Sequence, residues 1–205
     1  MIGIHRPLDI CREPLYSLII NNLDMGVTLS KEEQDNIDSK IKAINTRTGK
    51  YAPKNTILDI AKALNVDVFL VDFDHKFPLL KHDVSGMIEY LDPKGNEKAK
   101  IFLNVDDIPE RRSFTLAHEL GHYILHKADV NGRFRLDYQI YTDNQQSKEE
   151  TEANYFAASI LVPKEKLLDI MKEIDVSKNI SHVADYFGVS VPMLKRRILW
   201  IKTNQ

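Results

Sequence analysis

His118-Glu119-Leu120-Gly121-His122 sets two imidazoles four residues apart, with a carboxylate directly after the first. On a helix, four residues is about 40° around the axis and about 6 Å along it, so both rings can aim at one ion. Histidines at this spacing are zinc donors, and the glutamate between them is placed to act as a general base. The chemistry this predicts is metal-assisted hydrolysis of an amide. Zinc lowers the pKa of bound water to about 7, and Glu119 takes the proton as that water attacks a polarised carbonyl. Two half-buried histidines and a surface glutamate would account for the residue types but not for their spacing.

A catalytic zinc site takes three protein ligands and keeps a fourth position for water, so a third ligand is required. His126 stands about 12 Å along the axis from His118, too far to share the ion. It reads as a cationic or hydrogen-bonding residue near a helix C-terminus. The acidic cluster Glu149, Glu150 and Glu152 supplies the carboxylates. Glu150 is favoured because Asn154 lies one turn further on, where its amide can support a ligand histidine from behind. Glu152, about 200° away from Glu150 around the axis, is the alternative metal ligand. Glu150 also follows Ser147 by three residues, a capping-box spacing that would turn its carboxylate back on its own helix. The same donors would admit manganese or cobalt. For the oxyanion, Tyr123, Tyr138, Tyr141 and Tyr155 are the candidate hydroxyls.

Two helices have to present these groups. Residues 108–126 carry Pro109 near a helix start, with Phe114, Leu116, Ala117, Leu120 and Leu125 around it, and predict a mostly buried helix. A second helix is expected from Ser147 to Pro163. Upstream, Ser30 and Glu33 have capping-box spacing, and a helix begun there should break at Thr48, Gly49 and Lys50. Ile57, Ile60, Ala61 and Leu64 mark another helix, feeding the run VDVFLVDF, which reads as a buried strand. VSGMIEYLD and EKAKIFLNV flank Pro93-Lys94-Gly95-Asn96 and predict an antiparallel hairpin. FRLDYQIY predicts one more strand, and two or three shorter helices close the chain.

With 205 residues, 43% of them hydrophobic, the chain can bury one full core. Its formal net charge of -2 gives no overall basic field to attract nucleic acid or anionic lipid. Cys11 is the only cysteine, which excludes an internal disulfide and a cysteine-based zinc cluster and fits a reducing cytoplasm. Asp9, Arg12 and Glu13 interrupt the N-terminal apolar residues and argue against secretion or membrane insertion. Near the C-terminus, Ala184, Gly188, Val189, Ser190 and Leu194 fit helix-turn-helix spacing, with Lys195, Arg196 and Arg197 available to phosphates. No wider basic surface accompanies them, so a packed helical hairpin is preferred over direct DNA binding.

The run FTLAHELGHYILH over 114–126, followed by EANYFAASILVP over 152–163, resembles the ImmA/IrrE family of metallopeptidases. VSGMIEYL with AKIFLNV resembles the hairpin that precedes them in that family, and VADYFGVSVPMLKRRI its closing pattern. The likeness covers residues 50 to 200; the first 50 lie outside it, and Ile160 stands where the family often has leucine. It implies one zinc ion on His118, His122 and Glu150, with Glu119 as the base. It also implies an anti-repressor that cleaves an XRE-type helix-turn-helix transcriptional repressor of a prophage, mobile element or stress response. A scaffold that binds the repressor uncut, or pairs with it as toxin and antitoxin, is the competing function.

The expected fold is α+β and zincin-like, with a small antiparallel or mixed sheet, an HExxH helix, a glutamate helix and a helical C-terminal subdomain. The expected division is an N-terminal extension over 1–50, a metallopeptidase core over 51–163 and a helical subdomain over 164–205.

Overall fold

Ser30 forms a complete capping box with Glu33: its hydroxyl accepts from the Glu33 amide at 3.2 Å, and its own amide donates to Glu33 Oε2 at 2.7 Å. Groups otherwise orphaned at a helix start are thereby satisfied, and helix α1 (Lys31–Thr48) runs on to Gly49. The computed structural model describes residues 28–51, 53, 56–76, 84–90, 99–126, 134–138 and 147–203. Cys11, the interrupted apolar N-terminus, the turn at 93–96 and Tyr141 lie outside them. Ile37, Ile41 and Ile44 of α1 are buried in the same hydrophobic cluster as Leu120, Phe156 and Leu194.

After α1 come α2 (Thr56–Ala63), β1 (Val66–Val71), the short α3 (Phe73–Lys76), β2 (Val84–Tyr90), β3 (Ala99–Asn104) and α4 (Pro109–Leu125). Then follow β4 (Phe134–Tyr138), α5 (Lys148–Leu161), α6 (Lys164–Glu173), α7 (Ile180–Phe187) and α8 (Val191–Thr203). The architecture is α+β, around one sheet of order β1-β3-β2-β4. β2 and β3 pair antiparallel as the hairpin pattern predicts, with Ile88 opposite Ile101 and Tyr90 opposite Ala99. β1 joins β3 in parallel and β4 joins β2 antiparallel, so the sheet is mixed.

The two faces of β2 are both covered. Ile88 and Tyr90 belong to the main core, whereas Met87 faces the other way, into a smaller cluster with Val71 and Phe73, as a period of two requires; Val84 joins that smaller cluster because the pairing with β4 shifts register between Val84 and Gly86. β1 departs from expectation. It lies at the sheet edge with Phe69 43% and Leu70 57% exposed, because an apolar run reads alike whether its strand is central or has a neighbour on one side only.

α4 starts with Pro109 in its first turn, where the missing N–H costs nothing, and every residue from Thr115 to Tyr123 is buried. It packs across β2 and β3 on one side and against α5 on the other. At the C-terminus, Val183, Ala184, Phe187, Val189, Leu194 and Ile201 are all in the main core. Arg197, considered above for phosphate contact, is 5% exposed. Its Nε donates to the Val162 carbonyl at 3.1 Å, and its guanidinium lies 5.5 Å from the Tyr155 ring centroid. The α7–α8 pair is therefore a packed hairpin that spends this arginine internally. Among the described residues, no helix is long and apolar enough to cross a membrane.

Candidate metal centre

Gly121 decides how closely the two site helices approach. A Cβ there would stand 3.2 Å from Ala153 Cα and 3.2 Å from Phe156 Cδ1, tighter than ordinary van der Waals contact, so a side chain would fit only if α5 gave way by a few tenths of an ångström. Ala153 and Phe156 are fully buried at the crossing. The glycine of the motif thus has a packing role, and the contact it permits carries the start of α5 up to the two histidines. A second close approach lies on the sheet side. A Cβ on Gly86 would come 2.4 Å from Thr115 Cγ2 and 3.6 Å from Glu119 Oε1, so β2 passes directly beside the turn that bears Glu119.

His118 and His122 are 4% and 1% exposed, and their Nε2 atoms lie 2.9 Å apart. Glu150 closes the triangle, with Oε2 3.2 Å from His118 Nε2 and Oε1 3.3 Å from His122 Nε2. Ser147 caps α5 by accepting from the Glu150 amide at 3.3 Å. Only this half of the capping box forms, because the Glu150 carboxylate is turned to the histidines. Burial works to raise the Glu150 carboxyl, but its hydrogen bonds to His118 and His122 outweigh this and hold it well below the usual carboxylate range.

His118, His122 and Glu150 could hold a metal ion, each offering one ligand atom with all three atoms within 4.8 Å of one another. Donors bound tetrahedrally at zinc distances stand about 3.3 Å apart, close to the separations here. His118 is also oriented for the task. Its Nδ1–H donates to Asn154 Oδ1 at 3.0 Å, which leaves the Nε2 lone pair pointing at the common centre. Glu119 is fully buried beside this group.

The remaining sequence candidates with described side chains are placed elsewhere; the side chains of Tyr138 and Tyr141 lie outside the described residues. Glu152, the alternative ligand, reaches His126 Nε2 at 2.7 Å and stands outside the metal-competent group. His126 caps the end of α4, and its Nδ1 lies 3.0 Å from His122 Nδ1. Tyr155 donates its hydroxyl to Asp38 Oδ2 at 3.0 Å, tying α5 to α1 away from the centre. Tyr123 stacks on Tyr90 with centroids 6.3 Å apart. The pairing of His126 with Glu152 was not readable from spacing, because it depends on how α4 and α5 cross.

No curated protein matches the chain. Among solved structures, one similar chain is a Mycobacterium tuberculosis transcriptional regulator, at 16% identity and a TM-score of 0.48. The likeness covers 82% of this chain and 47% of that one, so the present chain spans about half its length. A peptidase family model described as the IrrE N-terminal-like domain matches residues 61–199, which include both site helices, all four described strands and most of the C-terminal hairpin. With that match extending over more than half of its length, the chain belongs to the IrrE N-terminal-like domain family.

Proposed function

We propose that the protein is a zinc-dependent endopeptidase that cleaves a helix-turn-helix transcriptional repressor and so relieves repression of a mobile element, prophage or stress genes. The observation that carries the peptidase reading is the convergence of His118, His122 and Glu150 on one point, with Glu119 buried alongside. Membership of a peptidase family supports the reaction class, and the anti-repressor role that the sequence resemblance implies is the ground for the substrate.

In this reading His118, His122 and Glu150 hold one zinc ion. When bound, zinc supplies a Lewis acid that acidifies water and polarises the scissile carbonyl. Glu119 accepts the proton of the attacking water on a carboxylate oxygen and delivers it to the leaving amine. Asn154 keeps His118 in the tautomer that donates through Nε2. The single cysteine and the absence, among the described residues, of a membrane-spanning helix agree with action in the cytoplasm.

The substrate is tested by using Glu119→Gln as a trap in the native host and identifying captured proteins by mass spectrometry. A helix-turn-helix repressor held by the variant and cut by zinc-loaded wild type is the expected result. A repressor that is captured and freed from DNA but never cut would make the fold a binding module instead.

A further inference from the structure

His126 is four residues beyond His122, buried at 5% exposure, and takes no part in the metal-competent group. Its two ring nitrogens face two different partners. Nε2 is 2.7 Å from Glu152 Oε2, and Nδ1 is 3.0 Å from His122 Nδ1. A carboxylate only accepts, so the proton in the first contact sits on His126 Nε2. As a neutral imidazole His126 then offers a lone pair at Nδ1, which places the proton of this contact on His122 Nδ1 and leaves His122 Nε2 with a lone pair facing Glu150 and His118.

We propose that Glu152 and His126 are a positioning pair that fixes the tautomer and orientation of His122 and so strengthens metal binding, in parallel with Asn154 behind His118. The inference rests on His118, His122 and Glu150 being a metal site. Glu152 is held from its far side by Lys148, 3.9 Å away, which also pairs with Glu33 in the capping box of α1. The chain of contacts thus runs from the N-terminal helix through Lys148, Glu152 and His126 to a ligand histidine. Both metal histidines acquire a fixed donor atom, one from an amide on α5 and the other from a histidine and carboxylate that span α4 and α5.

The test is cobalt binding by the full chain, measured by chelator competition and by the visible spectrum of the bound ion, for wild type, His126→Phe, His126→Gln and Glu152→Ala. His126→Phe and Glu152→Ala should each weaken binding about 10- to 100-fold with an altered spectrum, while their metal-free forms melt as the metal-free wild type does. The double variant should lose no more than the worse single one, because both act through His122. His126→Gln should recover part of the loss, since its carbonyl can accept from His122 Nδ1–H. Cobalt affinity within about twofold of wild type and an unchanged spectrum in Glu152→Ala would overturn the pair, and this variant decides the matter if His126→Phe does not fold. Failure of wild type to bind cobalt would instead overturn the metal centre itself, and the pair with it.

Discussion

Glu150 and Glu152 are two residues apart on one helix and have separate tasks. The first faces His118 and His122, and the second faces His126. Glu150→Ala should therefore abolish tight metal binding, whereas Glu152→Ala only weakens it; equilibrium dialysis against zinc separates the two outcomes. The choice of Glu150 was legible through Asn154, since residues four apart share a helix face and a ligand histidine needs an acceptor behind it. The work of Glu152 was not, because its partner comes from another helix. Tyr155 gives a pH prediction at the same scale. Burial, reinforced by the nearby Asp38 charge, pushes its phenol up to about 12, above the ordinary value of about 10. A raised pKa favours the protonated form in the fold, so its stabilisation is complete below about pH 10 and is lost as pH climbs towards about 12. Tyr155→Phe should cost about 1 kcal/mol at neutral pH and flatten the alkaline fall in denaturation midpoint over that window. An alkaline profile identical to that of wild type would contradict the assignment.

The site depends on two contacts between elements, α4 on α5 at Gly121 and α4 on β2 at Gly86. Gly121→Val puts side-chain carbons against the Ala153 backbone, which cannot yield as a side-chain tip can. It should destabilise by about 1–3 kcal/mol, and metal affinity should fall with it because Glu150 is carried away from the histidines. Gly86→Ala should also destabilise, and Thr115→Ser should restore much of the loss by deleting the methyl that a Cβ would meet; a double-mutant cycle in urea measures that coupling. Helical periodicity and caps made α1, α4 and α5 legible, and the paired apolar runs made the β2–β3 hairpin legible. The edge position of β1 was not, for its parallel pairing with β3 joins segments distant in sequence and no local pattern records it. The close helix crossing was visible only as an unexplained glycine in a helical motif.

Across the whole molecule, a single hydrophobic cluster joins residues from Leu29 to Ile201. Helix α1, outside the stretch that carries the family likeness, is part of it through Ile37, Ile41 and Ile44. Ile41→Ala should cost about 2–5 kcal/mol in global unfolding, whereas a loosely attached helix would lose little. An ion bridging α4 and α5 should in turn stabilise the entire fold. At 100 times its dissociation constant, free zinc should add about 2.7 kcal/mol, read as a rise in melting temperature that a chelator reverses.

The central claim is hydrolysis by a metal centre on α4 and α5 with Glu119 as its base. The most direct measurement compares cleavage of a captured repressor by wild type and by Glu119→Gln, each loaded with zinc and assayed for bound metal. The account predicts one zinc per chain in both proteins, cutting by wild type and essentially none by the variant. Equal cutting by the two, or a wild type that binds zinc and leaves its partner whole, would contradict it.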